Sequence, residues 1–186
     1  DLAIIPVLNK IDLPSAEPDR VKDEIEEIIG IDAQTALECS AKSGLGIEAL
    51  LERIVQEIPP PSGTPNGPLQ ALIFDSWFDA YRGVIILVRV FEGQVSKKDD
   101  ILLMHNNKSF EVQEVGAYSP HPISLEKLVA GDVGFIIANI KDVADAKVGD
   151  TVTMAPTKEQ DERTATTPLP GFKEVKPVVF AGLFPT

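Results

Sequence analysis

The sequence predicts an α/β portion built on a parallel sheet, followed by an all-β portion that closes into an antiparallel barrel. Three observations predict this. Residues 3–58 alternate strand-like and helix-like apolar patterns. Residues 59–68, PPPSGTPNGP, interrupt the pattern with a stiff proline-rich break. Beyond it come six short β-rich runs separated by Gly, Asn, Asp or Pro. These are LQALIF, GVIILVRVF, DDILLM, SFEVQEVGA, DVGFIIANI and DTVTM, and their number and spacing suggest a closed barrel.

Ala3 to Leu8 reads as a short buried strand. Its Pro6 lacks a ladder donor, so a bulge or one unpaired side is expected there. A helix follows, with Pro18 in its first turn and Gly30 past its end. Val21, Ile25, Ile28 and Ile29 fall at i, i+4, i+7 and i+8 and form one apolar stripe. Asp19, Asp23, Glu24, Glu26 and Glu27 read as its solvated face. A second strand over 36–39 runs into SAKSG. Ile47, Leu50, Leu51, Ile54, Val55 and Ile58 then mark a second amphipathic helix. Pro59-Pro60-Pro61 stops it.

The expected divisions are 1–59 for the α/β part, 60–67 for the linker and 68–155 for the barrel. Residues 156–175 read as a polar linker or exposed loop, and 176–186 as the first strand of a further domain. Core-like strands adjoin both termini, so the chain is expected to be a piece of a longer protein.

Totals narrow the functional classes. The 186 residues carry a net charge of −12, which argues against binding nucleic acid through a broad basic face. The one cysteine, Cys39, cannot form an internal disulfide, and a reducing cytosol is the expectation. The apolar run Val84 to Val88 is too short to span a bilayer, and no secretory signal opens the chain.

The first strand ends in Asn9-Lys10-Ile11-Asp12. Guanine presents two donors on one edge, N1–H and the exocyclic amine. A single carboxylate, that of Asp12, can accept both, whereas adenine offers an acceptor in place of N1–H. Discrimination of about 10⁴ is plausible for such a site, because the wrong base leaves a buried polar group unpaired. Asn9 can tie the loop to its neighbours. The methylene stem of Lys10 can lie along the base while its ammonium stays wet. Ser40, Ala41 and Lys42, ending the next strand, would bring backbone N–H groups to the guanine carbonyl. The alternative is a loop in which Asn and Asp merely make a turn. Three fixed residues recur by chance at roughly one position in several thousand, and the later Ser-Ala-Lys sharpens the signal. No Gly-x-x-x-x-Gly-Lys-Ser/Thr or Asp-x-x-Gly occurs, so phosphate and magnesium ligation are absent from these residues.

With these motifs the chain resembles the translational GTPases, and within them a LepA-like branch rather than elongation factor G or Tu. The resemblance rests on PVLNKIDLPSA, IGIDAQTALECSAKSGLGIEALLERIVQEIPPP, PLQALIFDSWFDAYRGVIILVRVFEG and PGFKEVKPVVFAGLFPT. It implies the C-terminal portion of a P-loop GTPase α/β domain, then a translation-factor-type barrel as second domain, then the start of a third. Asn9, Lys10 and Asp12 would be one guanine loop, and Ser40, Ala41 and Lys42 the other. GTP or GDP would be the ligand, with Mg²⁺ held by the intact parent. The parent would hydrolyse GTP on the ribosome, coupled to back-translocation of tRNA. Its barrel would lean on the small subunit of tRNA-bearing ribosomal complexes. The setting would be the cytoplasm, or an organelle for a eukaryotic parent. This fragment alone would be inactive, and no catalytic residue is named in it. Peripheral membrane association of the parent is not readable from these residues. The runner-up readings are a non-catalytic ribosome- or RNA-docking barrel and a factor closer to elongation factor G. One departure stands out: where such barrels have Lys-Gly-Asp, this chain has Lys98-Asp99-Asp100, which points to a shifted or strained turn at Asp99.

Other candidates read as structural. Trp77, Phe78 and Tyr81 are expected to pack over the barrel, with base stacking as the lesser reading. Asp75 and Asp79 read as solvated loop carboxylates. His105 and His121 lack ligand-spaced partners, and Cys39 reads as a small core residue. Arg82, Arg89, Lys97, Lys98 and Lys108 are ordinary surface charge or contacts to RNA phosphate.

Overall fold

The computed structural model of the chain describes residues 3–157, 162–173 and 182. The strand read from Lys176 lies outside the described residues but for Gly182. The chain forms two compact units that divide between Pro60 and Pro61. No helix among the described residues is long and apolar enough to cross a membrane.

In the first unit β1 (Val7–Leu8) and β2 (Leu37–Glu38) pair in parallel, Val7 opposite Leu37. Pro6 uses its carbonyl, which accepts from Leu37 N at 3.1 Å, so its missing N–H breaks no bond between these strands. Helix α1 (Pro18–Glu24) starts with proline in its first turn and continues as a π-helical turn over Ile25–Ile29. Gly30 closes it at φ 76°. The wider winding of the π turn shifts the phase of the apolar stripe. Val21 and Ile25 pack against Leu8, Ala33 and Ala36, but Ile28 and Ile29 turn outward, Ile28 to 79% exposure. Helix α2 (Ile47–Glu57) forms at the expected place, yet none of its residues is buried. Its Leu51 and Val55 are exposed.

The second unit holds β3 (Gln70–Asp79), β4 (Gly83–Glu92), β5 (Gln94–Ser96), β6 (Asp100–Leu103) and β7 (Lys108–Glu111). It continues with β8 (Glu114–Ser119), β9 (His121–Leu125), β10 (Lys127–Val129), β11 (Val133–Ile137) and β12 (Thr151–Met154). Eight of these form one antiparallel sheet in the order β7-β6-β12-β3-β4-β11-β8-β9, and β5 pairs with β10. Ten strands therefore stand where six runs were read. SFEVQEVGA breaks in two because Val112 N and Gln113 N turn away to Asp99 O and Ile137 O, at 2.8 and 2.7 Å.

The sheet curls around a core that includes Ile73, Ile86, Val88, Leu103, Ile136 and Val152, all fully buried. Strand β4 is apolar on both faces because both are covered. Val84, Ile86, Val88 and Val90 point to this core. Ile85 and Leu87 join Phe135, Ile137 and Trp77 in a second layer on the opposite face. The ring of Tyr118 lies 5.5 Å from Phe135 and 6.5 Å from Trp77. Of the SWFDAY aromatics, then, Trp77 packs as expected, while Phe78 is exposed and Tyr81 stands 98% exposed at the hairpin tip. Asp79 is a turn cap. Its Oδ1 accepts from Tyr81 N and Arg82 N at 2.8 and 2.9 Å, and these bonds hold its carboxyl below the usual carboxylate range.

The Ser96–Asp99 turn corrects the expectation at Asp99. Ser96 N donates to Asp99 Oδ2 at 2.8 Å, and Lys98 takes the left-handed position at φ 74°. The residue in the glycine-type conformation is Lys98, whose Cβ crowds the backbone there. Lys98→Gly is expected to raise stability by about 0.5–1 kcal/mol in urea unfolding, and a lower midpoint would refute the assignment of strain.

The connectors are also folded. Thr64 N donates to Glu92 Oε2 and Thr64 O accepts from Gly93 N, both at 2.8 Å, so the proline-rich linker is docked before its end. Residues 162–172, within the stretch read as linker or exposed loop, are mostly exposed, and threonine hydroxyls on β12 accept from the backbone of Ala165 and Leu169.

Candidate functional site

The site forms where the two loops after β1 and β2 meet. Parallel pairing brings the ends of the two strands side by side, and Cys39 N donates to Leu8 O at 2.8 Å. Asn9 follows β1 directly. Its Oδ1 accepts from Lys10 N at 2.8 Å and from Ala41 N at 3.1 Å, and the Cys39 thiol lies 3.8 Å away. One side chain thus holds its own loop and ties it to the second. Lys10 adopts φ 66°, and Leu13 N closes the turn onto Lys10 O at 3.1 Å. For a lysine that conformation costs about 1 kcal/mol or more, and the Asn9 bonds offset it.

The second loop is braced from inside. Ser40 is fully buried. Its N–H donates to Leu45 O at 2.9 Å, its Oγ accepts from Ser43 N at 3.2 Å, and its carbonyl accepts from Gly44 N at 2.8 Å. Gly46, at φ 72°, follows against Glu38; a Cβ there would stand 2.2 Å from the Glu38 carbonyl oxygen. That close approach admits only glycine, and it sets where α2 begins.

Asn9, Lys10, Asp12, Ser40, Ala41 and Lys42 all line one cleft of about 410 Å³. All six predicted residues are therefore brought together. Two details differ from the sequence reading. Ser40 is a buried brace, and the Ala41 N–H points at Asn9 Oδ1 rather than into open space. One residue escaped the sequence reading, and Cys39, read as a small core residue and indeed buried, has a contact the reading did not include. Leu13, 47% exposed, forms an apolar wall of the cleft, and its signal was an apolar residue directly after Asp12 in a polar turn. Cys39 touches the Asn9 amide from below, which no spacing rule shows.

The remaining candidates fall elsewhere. His105 stacks on Phe172 with ring centres 5.1 Å apart, and its backbone N–H donates to Asp150 Oδ1 at 2.9 Å. Burial pushes the Asp150 carboxyl up, against the pull of backbone bonds from Thr151 and His105. Arg89 lies over the Phe91 ring at 4.5 Å, and Lys108 pairs with Asp145 at 2.6 Å. Among the described residues no group of three or more His, Cys, Asp or Glu could hold a metal ion.

Comparison with known proteins bears on this arrangement. The family model for the elongation factor Tu GTP binding domain matches residues 1–60, and that for elongation factor Tu domain 2 matches residues 83–153. Elongation factor 4 of Synechococcus elongatus is 58% identical over 186 residues, and that of Solibacter usitatus 55% over 185. The chain is covered completely in both alignments and spans about 30% of the length of either relative. Two solved structures share the fold. A bacterial selenocysteine-specific elongation factor, EF-Sec, matches 82% of this chain and 26% of its own at TM-score 0.62 and 21% identity. The elongation factor SelB of Methanococcus maripaludis, in its apo form, matches 83% and 34% at TM-score 0.66 and 18% identity. Along its whole length, from the two loops of the cleft to the barrel, the chain belongs to the elongation factor 4 family.

Proposed function

We propose that this chain supplies the guanine-recognition half of a ribosome-dependent GTPase together with the barrel that docks it. The observation that carries the reading is the shared cleft, in which Asn9 fastens the Asp12 loop to the Ser40–Lys42 loop. Asp12 accepts from guanine N1–H and from the exocyclic amine. Asn9 spends its carbonyl oxygen on Lys10 and Ala41, which leaves its NH₂ for the purine N7 side. The stem of Lys10 and the side chain of Leu13 flank the base, and the Lys42 backbone faces its carbonyl.

GTP and GDP are the ligands on this reading. The residues fit the base: no phosphate-loop motif occurs in this sequence and, among the described residues, no metal-ligand cluster accompanies the cleft, so phosphate and Mg²⁺ are assigned to other residues of the whole protein. The chain alone therefore hydrolyses no GTP above background, and measurable turnover by the purified chain would overturn that.

The barrel's partner is the small subunit of tRNA-bearing ribosomes, in the cytoplasm or in an organelle, and the finer step is tRNA back-translocation by the whole protein. Exposed Tyr81, Phe78 and the neighbouring Arg82 suit contact with RNA. Co-sedimentation with small ribosomal subunits at two salt concentrations tests this. Saturable binding that weakens with salt is the expected result. No binding, or binding indifferent to salt, would remove the docking role from the barrel.

A further inference from the structure

The chain leaves the barrel along a path held by distinctive bonds, with Arg163 also 3.5 Å from the Asp99 carboxylate. Residues 162–169 form no ladder. They touch the residue just before β3 through one isolated parallel bridge, Leu69 opposite Thr164, with Leu69 N donating to Arg163 O at 2.8 Å. They touch β12 through side chains: Ala165 N donates to Thr153 Oγ1 at 2.7 Å and Leu169 N to Thr151 Oγ1 at 2.9 Å. Gln70 Nε2 adds a bond to Thr167 O at 2.8 Å. Both β12 threonines are fully buried beneath this segment.

The same segment carries a penalty. The Thr164 hydroxyl oxygen is buried and has no hydrogen-bond partner. A buried hydroxyl without a partner disfavours the docked state. Release would return that hydroxyl to water and leave the β12 ladders to β3 and β6 in place.

The incoming chain is held at the same point. Thr64 O accepts from Gly93 N, and Gly93 lies so close to Leu69 that a Cβ on it would stand 2.7 Å from Leu69 Cα. Leu69, on the incoming chain, thus lies between Gly93, which also holds Thr64, and the outgoing segment, which accepts its N–H.

We propose that residues 162–169 are a releasable strap, and that through Leu69 its docking couples the path of the chain into the barrel to the path out of it. While the strap is docked both paths are fixed, and when it lifts the Leu69 N–H loses its partner and both gain freedom.

Amide hydrogen exchange on the chain and two variants tests the proposal. Thr153→Val removes one acceptor, and it is expected to speed exchange at Ala165, Leu169 and Leu69 together by about five-fold, the worth of one net hydrogen bond. Thr164→Val removes the unpaired hydroxyl and is expected to slow the same three amides by at least roughly five-fold. Amides of the β4–β11 ladder should hold their wild-type rates in both. Faster exchange at Ala165 and Leu169 with Leu69 unchanged would refute the coupling. Unchanged or faster exchange in Thr164→Val would refute the strap's poise. Should Thr153→Val also loosen the ladder, the Thr164→Val comparison decides alone.

Discussion

Replacing Asp12 by asparagine in the full-length protein is expected to weaken GDP binding by about 100-fold or more and to favour xanthosine diphosphate instead. The reason is the pattern of donors. A carboxylate accepts from both N1–H and the exocyclic amine of guanine. An amide accepts from one and turns its own NH₂ toward the other, donor against donor. Xanthine carries a carbonyl in place of the amine, and the new NH₂ can donate to it. The fold should be unaffected, because Asp12 is exposed and lies on the cleft wall rather than in the Leu8, Ala33 and Ala36 core. Calorimetric titration with the two diphosphates checks this. An unchanged GDP affinity would show that Asp12 does not read the base.

Gly116→Ala is expected to destabilise the barrel by about 3 kcal/mol. A Cβ at Gly116 would stand 2.3 Å from the Ile123 carbonyl oxygen and 2.3 Å from Cζ of Phe135. The ring lies on the glycine because Phe135 and Gly116 are opposite each other in the β11–β8 ladder. Phe135→Ala should cost about 3–5 kcal/mol by itself, since the side chain is buried beside Ile85 and Ile137. The two losses should not add. With the ring gone, the alanine still meets the Ile123 carbonyl but no longer the ring, so the double variant should be more stable than the sum of the single losses by about 1 kcal/mol or more. Urea unfolding of the three variants measures this, and strict additivity would show that the ring and the glycine are not in contact.

That the two loops would meet in one cleft was legible in the sequence, because its residues sit in two short motifs, each fixed by a strand end. Parallel pairing then does the rest, and it needs only that both strands exist. Leu13 and Cys39 were harder to see, since their roles come from what lies beside them in space. Periodicity succeeded for β4, whose apolar run is long enough to be unmistakable, but it could not show that Ile85 and Leu87 serve a second layer. It failed at SFEVQEVGA, where two backbone N–H groups leave the ladder without any glycine or proline to mark the break. It misplaced Ile28 and Ile29 because the 3.6-residue period does not hold through a π turn. The turn at Lys98 shows the same limit: the sequence signalled that a glycine was missing, and only the backbone shows which residue stands in its place.

The stretch 156–175 read as a linker from composition, since Thr, Pro and charge dominate it. Residues 165 and 169 within it bond to threonine acceptors on β12, and a polar segment hydrogen-bonded to buried threonines looks no different in sequence from a solvated one.

The most direct test of the account is a nuclear magnetic resonance titration of this chain with guanosine monophosphate and, separately, adenosine monophosphate. The account predicts that amide signals of Asn9 to Leu13 and of Ser40 to Lys42 move with the guanine nucleotide and stay in place with the adenine one. Equal movement with both, or movement confined to other residues, would contradict a guanine-specific cleft between these two loops.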